Sequence, residues 1–201
     1  LLEINKNMEI NFYKPRIGEE EAKAVYDQVK SGWLTFGQKT EEFEEKFAKY
    51  INAPHCVMVD NCTAALTLAC EYTFQDLPRE NRGRYSVIVP SLTCAATALA
   101  PIHAGLNIKF ADLKDDESFL MADAETFSIP VSFAGRYSGQ KWTVVEDFAH
   151  RITRNCFTGK LQAYSFYVTK CMTAGEAGMI ACTTQREAEW FRKARLYGNG
   201  N

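Results

Sequence analysis

One lysine in this sequence stands where a lysine's chemistry could be unusual. The run from Ala163 to Val168 is rich in strand-forming residues and ends in Thr169 and Lys170; a loop holding Gly175 and Gly178 leads to a second apolar run through Ile180. A lysine at the mouth of a strand, between buried walls, is placed to lose its proton and act as a nucleophile toward a carbonyl. On spacing alone, a surface lysine at a strand end is the favoured reading. The company kept by Lys170 must decide.

The elements that would position it follow a regular rhythm. Short β-branched or aromatic runs occur at Cys56–Asp60, Tyr85–Pro90, Asn107–Asp112, Phe127–Phe133, Trp142–Glu146, Ala163–Val168 and Met179–Thr183. Helical patterns intervene at Thr63–Tyr72 and Thr93–Ala104, and one closes the chain at Gln185–Tyr197. Before them, Gly18–Ser31 has helical spacing with three glutamates in its first turn, and a second helix starts at Thr40 and ends at Asn52-Ala-Pro54. The polar stretch Gln75–Arg84 reads as a surface loop. The alternation predicts a three-layer α/β fold with a mostly parallel sheet of about seven strands. Runs such as Val87-Ile-Val89 are continuously apolar, as strands covered on both faces tend to be. No second shift in composition divides the chain, so residues 1–201 read as one domain.

Ligands in such sheets sit beyond the carboxyl ends of strands. After the first strand, Asp60-Asn-Cys-Thr-Ala opens a helix whose Thr63 hydroxyl and Thr63 and Ala64 amides would suit an anion, although an ordinary cap fits as well. Pro90-Ser-Leu-Thr-Cys94 starts another helix at the same level. After the fifth strand comes Glu146-Asp-Phe-Ala-His150, where a carboxylate entering a core needs a partner. That partner could be a cationic ring nitrogen held by Asp147 beside His150; a helix cap with a satisfied histidine is the plainer alternative. Ser165 stands five residues before Lys170 and could bond a phosphate. Together these residues form the kit for pyridoxal phosphate: an amine, an acid for the pyridinium nitrogen, and donors for the phosphate.

Composition narrows the classes. With 23 Lys and Arg against 25 Asp and Glu, the net charge of −2 indicates neither a nucleic-acid surface nor a basic membrane-seeking face. No apolar run has the length of a membrane span. The seven cysteines are odd in number and include no C-x-x-C pair, which fits reduced thiols in a cytoplasmic protein and argues against a disulfide framework or zinc site.

In order along the chain, Gly32-Trp-Leu-Thr-x-Gly37, Phe43-Glu44 with Phe47-Ala48, Asn61-Cys-Thr-Ala-Ala-Leu66 and Pro90-x-x-Thr93-x-x-Ala-Thr97 are followed by Glu146-Asp-x-Ala-His150 and Ser165-Phe-x-x-Thr-Lys170. Thr173-x-Gly-Glu-x-Gly-Met179 and Arg195-x-x-Gly198 close the series. This set resembles the DegT/StrS-type (DegT/DnrJ) sugar aminotransferases, fold-type I pyridoxal-phosphate enzymes, over nearly the whole chain from Met8. The resemblance implies the large cofactor domain of such an enzyme, with a helical arm over about residues 8–55 and no counterpart of the smaller C-terminal domain.

It also implies roles. Lys170 is the Schiff-base lysine and later the base that moves the substrate proton, and Asp147 pairs with the pyridine nitrogen. His150 lies near the ring hydroxyl; Ser165, Thr63 and the Ala64 amide hold the phosphate; Cys94 takes a position where the family usually stacks an aromatic on the ring. The implied reaction moves an amino group, commonly from glutamate, to a keto group of a nucleotide-linked sugar, in nucleotide-sugar and cell-surface polysaccharide biosynthesis, within a homodimer. Two alternatives stay open. Related dehydratases use pyridoxal phosphate on similar sugars but replace the lysine with histidine, and a truncated relic could bind cofactor or partner without catalysis. The stretch between Asp123 and Glu146 is shorter than usual for the family, with the loop Arg136–Gln140 where a helix is expected, and Arg151–Leu161 also looks trimmed.

Overall fold

A computed structural model describes residues 13–113, 127–137 and 143–198. Trp142 and residues 138–140 of the expected loop lie outside them. The chain falls into two compact units, one up to Thr35 and one from Phe36 onward. In the first, helix α1 (Glu19–Ser31) opens with its acidic turn, and the Glu21 carboxylate accepts the Gly18 N–H at 2.7 Å. Gly32, at φ 74°, ends it in the left-handed region that glycine occupies without strain.

The second unit is built on strands. Helix α2 (Gln38–Ile51) begins two residues before the expected Thr40, because Gly37 takes the extended cap conformation and accepts from the Thr40 and Glu41 amides. Strand β1 (His55–Val59) leads into α3 (Cys62–Thr73). The expected surface loop Gln75–Arg84 contains a short helix, α4 (Arg79–Arg82), with Arg82 buried. Polarity alone misleads here: the Arg82 guanidinium is satisfied by Glu71 and by the carbonyls of Leu77 and Ala104, so it can be buried. Then come β2 (Ser86–Pro90), α5 (Ala95–His103), β3 (Asn107–Ala111), a 3-10 turn at Phe133–Gly135, β4 (Glu146–Asp147), β5 (Gln162–Ser165), β6 (Gly178–Cys182) and α6 (Gln185–Ala194).

The expected mostly parallel seven-stranded sheet is not what the strands form. Four make one mixed sheet in the order β1-β6-β5-β4, in which β6 runs antiparallel to both neighbours and β4 parallel to β5; β2 and β3 form a separate parallel pair. The reason lies in the Lys170 loop. It returns from β5 to β6 without a crossover helix, and a parallel pairing requires a crossover. The expected strand Phe127–Phe133 makes only isolated parallel bridges, from Ser128 to Ile88 and Thr143 and from Val131 to Asp147.

Residues of the four-stranded sheet alternate between its two faces, and the two faces carry two cores. Val57, Val59, Ala163 and Ile180 point into one with α3, α5 and α6; Tyr164, Met179 and Ala181 point into the other with Phe47 and Ile51 of α2. In the second core, Phe47 meets Tyr164 and Phe166 edge-on, at 5.0 and 5.1 Å between ring centroids, and Phe148 meets Tyr164 at 5.6 Å. Phe148 and Phe166 are the next residues after Asp147 and Ser165. Their burial on the α2 side turns those two polar side chains to the opposite face.

Two tight features fix the lip of that face. Glu44, buried on α2, accepts the Met58 N–H at 2.9 Å and pairs with Arg195, whose guanidinium also donates to the Met58 carbonyl at 2.9 Å. Gly178 on β6 passes so close to the start of α3 that a Cβ there would lie 2.3 Å from the Asn61 carbonyl carbon and 2.7 Å from the Cys62 nitrogen. Gly178→Ala should therefore cost about 1–3 kcal/mol through overpacking, read as a fall in the urea midpoint; an unchanged midpoint would show that the contact is soft. Arg195→Leu should cost about 3 kcal/mol or more by leaving the buried Glu44 charge short of its main partner, and a loss under about 1 kcal/mol in the same measurement would contradict that account.

Candidate active site

Four chain segments converge on a cavity of about 200 Å³. The start of α3 supplies Asn61, Cys62 and Thr63, and the approach to α5 supplies Thr93 and Cys94. The end of β4 supplies Asp147 and His150, with Phe133 alongside, and the β5–β6 loop supplies Ser165, Tyr167, Lys170 and Glu176. A larger cavity, about 390 Å³, lies beside α2 and is lined by Glu41, Glu44, Glu45, His55 and Arg192. It holds none of the candidate cofactor residues, which gather in the smaller one.

Strand alternation separates the two adjacent acids. Glu146 faces the α2 side, where Thr158 Oγ1 at 2.5 Å, Gln162 Nε2 at 2.8 Å and the Tyr137 hydroxyl at 3.3 Å all donate to its carboxylate. It is a satisfied structural acid. Asp147, 3% exposed, faces the cavity; its Oδ1 accepts the Ala149 N–H at 3.0 Å and its Oδ2 accepts the Thr97 hydroxyl at 2.8 Å. Among the described residues no ion pair reaches it. Burial pushes its carboxyl above the ordinary value, and the Ala149 N–H, the Thr97 hydroxyl and the charges of His150 and Lys170 pull the other way.

Lys170 is half-buried, on a turn closed by its own N–H to the Tyr167 carbonyl at 2.9 Å. Among the described residues its amine forms no hydrogen bond or ion pair. Ser165 is buried, and its Oγ accepts the Tyr167 N–H at 3.3 Å. His150 is at the rim: its Nδ1 accepts the Ala134 N–H at 3.4 Å and its ring lies 5.2 Å from that of Phe133. Burial against these walls, then the charge of Lys170, hold its pKa down, against the pull of Asp147. Thr63 lines the cavity; Ala64 does not, and its N–H is taken by Asn61 Oδ1 at 2.9 Å. Cys94 is exposed on the far wall, just ahead of α5. Cys62 is buried, its thiol pushed well above the ordinary range by burial and then by Asp147, and so unreactive.

Lys170, Asp147, His150, Ser165, Thr63 and Cys94 thus share one cavity, and Ala64 stands behind it. Sequence reasoning gave no role to Thr97, Asn61, Tyr167 or Glu176, although all but Tyr167 stand in the motifs quoted above. For Thr97 a signal existed, because Thr93 and Thr97 are four apart at a helix start and their hydroxyls meet at 2.8 Å.

Residues 15–126 and 139–201 match the model of the DegT/DnrJ/EryC1/StrS aminotransferase family. The chain belongs to this family. The break in the match falls inside the Asp123–Glu146 stretch. Among relatives, the spore coat polysaccharide biosynthesis protein SpsC of Bacillus subtilis is 31% identical over 96% of this chain and 54% of its own length. Among solved structures, Spr1654 of Streptococcus pneumoniae, described as a candidate sugar aminotransferase, superposes in its apo form with a TM-score of 0.79 at 25% identity, covering 95% of this chain and 58% of that one. DesV of S. venezuelae gives 0.77 at 25% identity, over 90% and 54%. The chain spans a little over half the length of the family proteins it matches.

The raised Asp147 pKa has a consequence for stability. The folded carboxyl holds its proton more tightly than the unfolded one, so its contribution to folding is complete below the ordinary value of 3.8 and is lost as pH rises through the raised folded value. Cofactor-free Asp147→Asn should melt above the parent at about pH 7, with the gap closing as pH falls toward about 3.5. Melting curves with a gap of constant size would mean that the buried charge is not the cause.

Proposed function

We propose that this chain is the cofactor-binding large domain of a pyridoxal-phosphate enzyme that transfers an amino group, from a donor such as glutamate, to a keto group of a nucleotide-linked sugar. The observation that carries this reading is the buried Asp147 carboxylate, which lacks an ion-pair partner among the described residues, in one cavity with the Lys170 amine. A buried carboxylate in that state gains most from a cation brought into the cavity, and a protonated pyridine nitrogen is such a cation. The donor set fits the rest of the group. When bound, pyridoxal phosphate supplies an electron sink for the carbanion formed at the substrate carbon.

The chain's own residues divide the remaining work. Asp147, held at both oxygens, would favour a protonated ring nitrogen. Lys170 would hold the cofactor through its amine and would serve as the base for the substrate proton. The Thr63 and Ser165 hydroxyls would supply donors to the phosphate; the Ala64 amide is committed to Asn61, which would leave those hydroxyls the larger share. His150 would serve the ring hydroxyl, and Cys94 would offer a smaller, less stacking surface than an aromatic ring.

The relatives support the same reading. Spr1654 has been solved in PLP and PMP forms, at 26% and 25% identity, and SpsC is named for polysaccharide biosynthesis. A dehydratase from E. coli shares the fold at 19% identity, but the lysine at position 170 favours transfer over dehydration. The isolated bridges at Ser128 and Val131 set this segment between the β2–β3 pair and β4, which supports one large domain built on both sets of strands. Homodimerisation and a cytoplasmic location belong to the proposal as well. No helix among the described residues is long and apolar enough to cross a membrane.

Adding pyridoxal phosphate to the purified chain should produce a visible absorption band that is absent in Lys170→Ala and that bleaches on addition of glutamate. If parent and Lys170→Ala gave the same spectrum, the assignment of Lys170 would be withdrawn; a band that glutamate leaves untouched would reduce the chain to cofactor binding.

A further inference from the structure

Behind the cavity wall runs a short chain of hydroxyls. Thr97, in the first turn of α5 and fully buried, has its Oγ1 2.8 Å from Asp147 Oδ2 and 2.8 Å from Thr93 Oγ1. An ionised carboxylate can only accept, so the single Thr97 hydroxyl proton goes to Asp147, and the contact between the threonines then has Thr93 donating. The direction is fixed from Thr93 at the cavity, through Thr97, to Asp147. With the Ala149 N–H on the other oxygen, each Asp147 oxygen has one donor and the carboxylate plane is held from both ends.

A helical threonine can satisfy its hydroxyl without such an arrangement. Thr73, on α3, satisfies its hydroxyl locally on the Ala69 carbonyl at 2.8 Å, four residues back. Thr97 instead reaches an acceptor fifty residues away in sequence. It does so from the first turn of α5, where the helix dipole also favours a negative charge. The charged and titratable groups facing Asp147 from the neighbouring segments are His150 and Lys170, which favour its charge, and the Cys62 thiol on α3.

We propose that Thr97 is a positioning residue for the cofactor: it holds Asp147 ionised and in the plane that meets the ring nitrogen, with Thr93 fixing the direction of its proton. This rests on the pyridoxal phosphate reading above. Thr97→Val keeps the shape and removes the donor, Thr97→Ser keeps the donor, and both are compared with the parent chain. The first readout needs no cofactor: the carboxyl titration of Asp147 followed by 13C NMR, assigned with Asp147→Asn. The second is pyridoxal phosphate affinity by fluorescence.

Loss of one hydrogen bond to a charged group should raise the Asp147 midpoint by about one pH unit and weaken cofactor binding about tenfold in Thr97→Val. Thr97→Ser should stay within about twofold of the parent on both counts, a rescue that a purely packing role would not give. A midpoint and an affinity in Thr97→Val that match the parent overturn the proposal, as does a Ser variant as impaired as Val. Should the Val variant fail to fold, Thr97→Ala removes the same hydroxyl and is read in the same way. If the parent itself does not bind pyridoxal phosphate, the function proposed above fails, while the cofactor-free midpoint still decides whether Thr97 governs the Asp147 charge.

Discussion

Asp147 is a carboxylate in a place that water hardly reaches, and much of the second unit's design answers that fact. A charge so placed is costly unless dipoles and donors are aimed at it before any ligand comes. Here they come from three directions: the Ala149 amide beside it, the Thr97 hydroxyl at the start of α5, and the charge of Lys170 from the loop after β5. The Ala149 amide is local, two residues on, but the other two are not. They require β4, β5 and α5 to be in register at once, so the fold and the site's electrostatics are a single requirement.

The aromatic layer beneath the sheet supplies the rigidity. Phe148 and Phe166 directly follow Asp147 and Ser165, and their edge-on contacts with Tyr164 and Phe47 anchor the backbone at the two strand ends that carry the site. Asp147 and Ser165 are thus each paired with a buried ring one residue on. Strand alternation converts packing on one face into orientation on the other. The same alternation assigns the adjacent acids to different work, Glu146 to a closed structural network and Asp147 to the cavity.

Much of this was legible in the sequence. The alternation of apolar runs and helical patterns located every helix of eight residues or more among the described residues, with ends within about three residues. The positions after strands named six residues that share one cavity. What was not legible came from interactions that composition does not encode. Arg82 sits in a polar stretch yet is buried, because Glu71 and the Ala104 carbonyl, outside that stretch, join the Leu77 carbonyl in satisfying it. β6 is antiparallel because the lysine loop turns back rather than crossing over, and an apolar run reads alike in both directions. The Ala64 amide was available on paper, but Asn61 reaches it first. Thr97 looked like one more small residue in an Ala-rich helix, since its role depends on a contact with residue 147 that only the fold creates.

Glu44 and Arg195 lend themselves to a different consideration. β1 is the last strand of its sheet, paired with β6 on one side only. On the open side the N–H and C=O of Met58 are the groups with which a stray strand from another molecule would pair, and Glu44 and Arg195 occupy both. A carboxylate and a guanidinium here imitate the hydrogen-bonding edge of a neighbouring strand. The edge is thereby blocked against edge-to-edge pairing at Met58, by Glu44 of α2 and by Arg195 just beyond α6, without another strand being added.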